Sequence, residues 1–245
     1  MTDVLVNSTD GIMQIRLNRP SRKNALSQQM YRELNSALQT AAQDASIKVV
    51  LLQGTEDCFS AGNDLTDFLA AGVLDHEHPT VQFLYQLAQC PKPLIAAVSG
   101  LAIGIGSTAL LHCDLVYAAG NARFQLPFTQ LGLCPEAASS LLLPRLVGYQ
   151  RAAQYLLLGE SFDAAKACDM GLVNQVVAVD ELDALAWQKA QQLAALPADA
   201  VQSSKALLKA GSAEVNATIA AELVQFQRLL DSSESQQRIA TFFKR

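Results

Sequence analysis

The first half of the chain is patterned in short apolar runs, the second in longer repeats at helical spacing. Val4, Leu5 and Val6 give way to the turn Thr9-Asp10-Gly11 and then to Ile12, Ile15 and Leu17, which predicts a β-hairpin. A polar loop over 18–24 follows, and Ser27 is placed to cap a helix whose apolar positions Met30, Leu34, Leu38 and Ala41 share one face. Residues 48–53 read as a buried strand ended by Gly54, whereas 55–79 show the least regular pattern. Residues 94–99 form a second buried strand that runs into a glycine-rich stretch over 100–106, with a helix of small residues expected after it. Residues 114–119 are strand-like again, and this alternation predicts an α/β domain. From Pro135 onward helical patterns dominate, broken by a strand-like stretch over 172–179. Asp180 is expected to cap a helix over 181–196 that Pro197 stops, and 201–210, 215–230 and 234–243 read as amphipathic helices. Leu223, Phe226, Leu230, Ile239, Phe242 and Phe243 fit either the chain's own core or a neighbouring subunit.

With 245 residues, half of them hydrophobic, the chain can bury one sizeable core. A net charge of -5 offers no broad positive field, so neither nucleic acid nor an anionic membrane is expected as a partner. Apolar runs such as residues 94–98 fall far short of the roughly 20 residues that span a bilayer, and the start lacks a basic segment followed by an apolar one. With no peroxisomal tripeptide over 243–245, the expected setting is cytoplasmic. The five cysteines are odd in number, widely spread and without a CxxC pair, so they read as reduced, mostly buried thiols. His76-Glu77-His78 has no third ligand at metal spacing and reads as a surface loop, and no metal is expected.

Residues 104–109 (Gly-Ile-Gly-Ser-Thr-Ala) match the dinucleotide pattern GxGxxG/A. The acidic residue such a site needs roughly 20 residues on is missing from 117–126, and no lysine precedes Ser107-Thr108 as a phosphate loop requires. What remains is a run of backbone N–H groups entering a helix. These either hold a developing negative charge or merely belong to a tight, closely packed turn. Glu136 reads from the residues alone as ordinary: beside Pro135 at a first helical position, an acid simply complements the helix dipole.

The pair of small-residue turns is informative. Phe59-Ser60-Ala61-Gly62 followed by Asp64-Leu65, then Val98-Ser99-Gly100 through Gly104 to Cys113-Asp114, resembles the enoyl-CoA hydratase/isomerase (crotonase) superfamily along nearly the whole chain. The resemblance implies an α/β crotonase-like (ClpP/crotonase) spiral of ββα units with a C-terminal helical region. It implies a core over 1–194 that holds the CoA and acyl site, and oligomerisation helices over 195–245 in a homotrimer or dimer of trimers. The implied substrate is a fatty acyl-CoA, with no separate cofactor. The backbone N–H groups of Asn63 and Ile105 would form the oxyanion hole, with Ala61, Gly62, Asp64, Leu65 and Gly104 contacting substrate. Asp64 is expected to order its turn through backbone hydrogen bonds, with Asp67 as a further acid. Arg22, Lys23 and Ala25, in the loop that also carries Arg19, would meet CoA. The family's two hydratase glutamates fall at Thr108 and Phe128, neither of them acidic. Residues 132–140, which include Glu136, and 60–68 are similar instead to the peroxisomal-type 3,2-enoyl-CoA isomerases, some of which carry an additional N-terminal acyl-CoA-binding domain. The implied activity is transfer of a double bond from 3-enoyl-CoA to 2-trans-enoyl-CoA with Glu136 as the single base. The alternatives are another reaction of the superfamily, hydration or thioester hydrolysis, and a non-catalytic acyl-CoA-binding protein.

Overall fold

The computed structural model of the chain describes residues 2–70 and 72–242, apart from the side chains of Phe68, Leu69, Ser212 and Phe242. The expected hairpin forms: β1 (Val4–Thr9) and β2 (Ile12–Leu17) pair antiparallel around Asp10 and Gly11, both at positive φ. Ser27 caps α1 (Gln28–Gln43) by accepting the Met30 N–H at 3.2 Å, and the helix buries Met30, Leu34, Leu38 and Ala41.

Next come β3 (Val49–Gln53), β4 (Cys58–Ser60), α2 (Leu65–Leu69), α3 (Pro79–Gln89), β5 (Leu94–Val98), β6 (Leu101–Ile103), α4 (Ile105–Thr108), β7 (Leu115–Ala119) and β8 (Arg123–Gln125). The second half holds α5 (Ser139–Val147), α6 (Tyr149–Leu158), β9 (Ser161–Asp163), α7 (Ala164–Asp169), β10 (Gln175–Val177), α8 (Val179–Ala194), α9 (Ala198–Leu208), α10 (Ser212–Leu230) and α11 (Ser233–Phe242).

The larger sheet runs β1-β2-β3-β5-β7-β10, parallel from β2 onward. Its central strands are continuous apolar runs because both faces are covered. Side chains alternate across the pleat, so Val49, Leu51, Ile95 and Ala97 meet Leu182, Ala186 and Ala190 of α8, whereas Val50, Leu52 and Ala96 join the main core with α1 and α3. After each of β3, β5 and β7 the chain turns into a three-residue strand of a second sheet, ordered β4-β6-β8-β9. Each step therefore carries the chain from one sheet to the other and then into helical backbone, the spiral of ββα units implied by the resemblance. Phe226, Leu230 and Ile239 of the last two helices pack into this chain's own main core. Phe243 lies outside the described residues. Among the described residues no helix is long and apolar enough to cross a membrane.

Several local expectations are corrected. The strand over 172–179 shrinks to β10, because Leu172 and Val173 are buried in the turn that leaves α7. The following helix starts at Val179 rather than after Asp180; Glu181 reaches back to accept the Ala178 N–H at 3.3 Å, so the acid one position further on closes the end. The helix of small residues after Gly104 is a single α turn continued by a 3-10 turn over Ala109–His112. Pro135 and Glu136 precede α5 instead of opening it. His78 is not on a surface loop: it is buried, and its Nδ1 accepts the Thr80 N–H at the start of α3. Of the five thiols, Cys58 and Cys90 are buried while Cys113, Cys134 and Cys168 are only partly so.

Candidate active site

The turn at 61–64 is stitched to the polar loop before α1. Ala61 N–H donates to Lys23 O at 2.9 Å, Leu26 N–H to Gly62 O at 2.8 Å and Asp64 N–H to Leu26 O at 2.9 Å. In this parallel bridge the peptide N–H of Asn63 points away from Leu26, and among the described residues no protein acceptor takes it. Gly62, at φ +94°, lies so near the second turn that a Cβ on it would be 2.9 Å from Ile103 O. Gly104 precedes α4 at φ 55° and ψ -120°, a conformation open essentially to glycine alone. It leaves Ile105 with a first-turn N–H that no described residue accepts. Two unpaired N–H groups, one from each turn, thus border one cavity of about 1170 Å³, whose wall includes Ala61, Gly62, Asp64, Leu65 and Gly104.

Glu136 is 4% exposed, and its carboxyl accepts a short hydrogen bond from the Thr108 hydroxyl. Thr108 lies three residues after Ile105 on α4, so that bond ties Glu136 to the helical turn that Ile105 opens. The Tyr31 hydroxyl, fully buried on α1, donates to Asn63 Oδ1, and the Glu136 carboxylate adds to burial in pushing this phenol up. Glu136, Thr108 and Tyr31 are buried and Asn63 half-buried, and these four polar side chains link both turns. Burial raises the Glu136 pKa to about 8; the Thr108 hydrogen bond works against this, and the negative charge of Glu222 adds to it. Glu136 is not itself part of the cavity wall, to which its own segment contributes Phe128, Leu131 and Leu133.

The remaining expected residues divide. Arg22, Lys23 and Ala25 border the cavity, with Arg22 about half exposed and Lys23 exposed at its mouth. Arg19 is committed elsewhere: it bonds Ala25 O at 2.9 Å and Asp64 Oδ2 at 2.8 Å. Asp64 accepts the expected backbone bond, but as the lesser of its contacts. Its chief partners are guanidinium groups, with Arg22 at 3.5 Å, while the Asp67 N–H also stands at 3.5 Å. Burial opposes its charge, but the Arg19 hydrogen bond and these neighbours hold its carboxyl below the ordinary range. Asp67 accepts the Gln28 N–H at the start of α1. His112 lies in the 3-10 turn after α4, where its Nε2 is 2.8 Å from Ala137 O. Burial brings its pKa down to about 4, so the neutral ring donates there.

Three residues of this region carried no motif. Tyr31 follows the apolar position Met30 on α1 and is fully buried. Arg238 of α11 also borders the cavity. Glu222 is 7% exposed on α10 and hydrogen-bonds the segment just after Glu136. Its signal was legible, since it interrupts the apolar stripe Ile219, Phe226, Leu230 at a position three residues after Ile219.

Two sheets joined by a spiral of ββα units, with paired N–H groups where the units turn, define the crotonase fold. The chain belongs to the enoyl-CoA hydratase/isomerase family, whose model matches residues 7–245. It is 36% identical to human enoyl-CoA delta isomerase 2 over 99% of its own length, and it spans 63% of that relative. It is 34% identical to the 2,3-dehydroadipyl-CoA hydratase of Escherichia coli, covering 100% of this chain and 97% of the other. A crystal structure of an enoyl-CoA hydratase/isomerase from Pseudoalteromonas atlantica superposes with a TM-score of 0.96 at 40% identity, covering 99% of this chain and 97% of that one.

Proposed function

We propose that this chain isomerises 3-enoyl-CoA to 2-trans-enoyl-CoA, with Glu136 as the only base. The observation that carries this reading is a buried carboxyl of raised proton affinity, bonded to Thr108 of the helical turn that Ile105 opens; Thr108 and Phe128 stand where the resemblance puts the acids of the hydratases. Ionised Glu136 takes a proton from C2. The electron pair left behind delocalises through the thioester to its carbonyl oxygen, where the Asn63 and Ile105 N–H groups meet the developing charge. The neutral carboxyl then returns the proton to C4, and the double bond comes to lie between C2 and C3. A base with a pKa near 8 suits this work better than an ordinary carboxylate. It is a stronger acceptor for a carbon acid, yet a useful fraction, about a tenth, is ionised at pH 7. Arg22, Lys23 and Arg238, which all border the cavity, supply positive charge for the anionic part of CoA.

The test follows conversion of a 3-enoyl-CoA to the conjugated 2-enoyl thioester by wild type and Glu136→Gln, with hydration of 2-enoyl-CoA measured alongside. Isomerisation without appreciable hydration, lost in a variant that still binds CoA ester, supports the reading. Efficient hydration by wild type, or normal isomerisation by the variant, overturns it.

A further inference from the structure

We infer that Glu222 is a positioning residue: from α10 it clamps the turn that follows Glu136 and so aims the base, an inference that rests on the reading of Glu136 given above. The turn needs such a clamp. Ala137 and Ala138 are consecutive left-handed residues, at φ 58° and 55°. Neither is glycine or asparagine, so their own chemistry disfavours the conformation, which persists only where surrounding contacts impose it. Glu222 Oε2 accepts the Ala138 N–H at 2.6 Å, while Oε1 accepts the Ser140 N–H at 3.0 Å and the Ser140 hydroxyl at 2.5 Å. His112 holds Ala137 O from the opposite side, and Ser139 folds back onto Glu136 O through its N–H and its hydroxyl. The turn that follows Glu136 is therefore held by two side chains distant in sequence, Glu222 and His112.

Three donors on two carboxylate oxygens call for an acceptor-only group. A glutamine in place of Glu222 offers one oxygen and turns an N–H₂ toward either Ala138 or Ser140. It also removes the negative charge nearest the base. The other groups around the pair are Tyr31 from α1, Cys134 earlier on the same loop, His112 from the 3-10 turn and Arg228 further along α10. Tyr31 and Cys134 keep their protons at neutral pH, the thiol being pushed up to about 11, and His112 is neutral above about pH 4. Burial pushes the Glu222 carboxyl up from its ordinary range while its bonds from Ser140 and Ala138 oppose that shift, and its negative charge adds to the raised proton affinity of Glu136.

Steady-state rates of Glu222→Gln with a 3-enoyl-CoA, measured from pH 5 to 10, test this directly, with Glu136→Gln run in parallel. The expected kcat is about 10- to 100-fold lower, as for a base misplaced by a fraction of an ångström. KM should stay within about threefold, since Glu222 does not border the cavity. The acid limb of kcat/KM should move to lower pH, because loss of a like charge lowers the proton affinity of Glu136. A purely structural defect reduces the active fraction and leaves the limb in place, and that result, like a wild-type kcat, overturns the inference. If Glu222→Gln lacks a native circular dichroism spectrum, Ser140→Ala takes its place: it removes one donor at an exposed residue, and kcat should fall several-fold, a wild-type kcat again overturning the inference. Normal turnover by Glu136→Gln defeats the reading of the base, whereas an inactive Glu136→Gln beside a normal Glu222→Gln defeats only the role of Glu222.

Discussion

Replacing Glu136 by glutamine should make the protein more stable, and increasingly so as pH rises. Glutamine is nearly isosteric, and its oxygen can still accept the Thr108 hydroxyl. What changes is the charge. In the unfolded chain the carboxyl ionises near 4.5, whereas in the fold its pKa is raised to about 8. Between those values the folded state keeps a proton that the unfolded state releases, so the contribution of Glu136 to stability is fully present below pH 4.5 and is lost as pH rises through 8. At ~1.4 kcal/mol for each tenfold change in proton affinity, the full loss is on the order of 4–5 kcal/mol, with about 3 kcal/mol of it already felt at pH 7. The variant has no such dependence, and the other titrating groups, common to both proteins, largely cancel in the comparison. For a chain of this size, thermal unfolding of Glu136→Gln should match wild type near pH 4.5 and exceed it by on the order of 10 °C at pH 9. Scans of both proteins at equal concentration in matched buffers check this. A Tm difference that is constant from pH 5 to pH 9, or a less stable variant at pH 9, refutes the claim that Glu136 is a buried acid of raised proton affinity.

Thr108→Val removes the hydrogen bond that keeps the proton affinity of Glu136 from rising further, so the acid limb of the pH–rate profile should move to higher pH and the rate at pH 7 should drop roughly tenfold. A limb that stays in place contradicts the assignment of that contact. Gly62→Ala puts a Cβ 2.9 Å from Ile103 O at φ +94°, so the turn must shift and carry the Asn63 N–H with it; kcat should fall about 10²–10³-fold with a folded protein, and a wild-type rate removes Asn63 from the oxyanion site. Arg19→Met leaves Asp64 buried without its 2.8 Å partner and should cost roughly 2 kcal/mol at pH 7, less than a fully buried pair because Arg19 is partly solvated. Since the carboxyl of Asp64 is held below its ordinary range, this contribution is present above that range and lost on acidification; urea titrations at pH 7 and pH 3 should show the penalty shrinking, and an equal penalty at both argues against the ion pair.

The strands of the larger sheet and the long helices were readable because their signals are strong: five-residue apolar runs such as 94–98, and apolar positions recurring at helical spacing from Met30 to Ala41. The second sheet was not. β4, β6 and β8 have three residues each, too few for any period, and are recognised only by their pairing with one another in space. The two turns were visible as small-residue runs, but what they do depends on backbone direction, which Gly62 and Gly104 permit and the stitching of 61–64 to 23–26 decides. Glu136 could be singled out only through resemblance, since an acid after proline is commonplace at a helix start. Its buried setting comes from Tyr31, Thr108 and Glu222, which are 105, 28 and 86 residues away in the chain and share no local pattern with it.

Under the proposed reading, the identity of residue 108 helps to decide which chemistry this fold performs. The N–H groups of Asn63 and Ile105 are backbone atoms and survive almost any change of neighbouring side chain, so they serve any reaction in which charge gathers on a thioester oxygen. The base is a side chain, and its environment is exclusive. A glutamate at 108 would face Glu136 in a region that already raises the pKa of one carboxyl to about 8 with Glu222 close by, and a third acid there would have to stay protonated or push Glu136 still higher. Threonine at that position does the reverse: it donates to the ionised base and holds its affinity within reach of neutral pH. An acid at 108 and a working base at 136 therefore oppose each other electrostatically, and a chain with threonine at 108 and phenylalanine at 128 is suited to moving one proton with one carboxyl rather than to dividing the work between two acids and a water molecule.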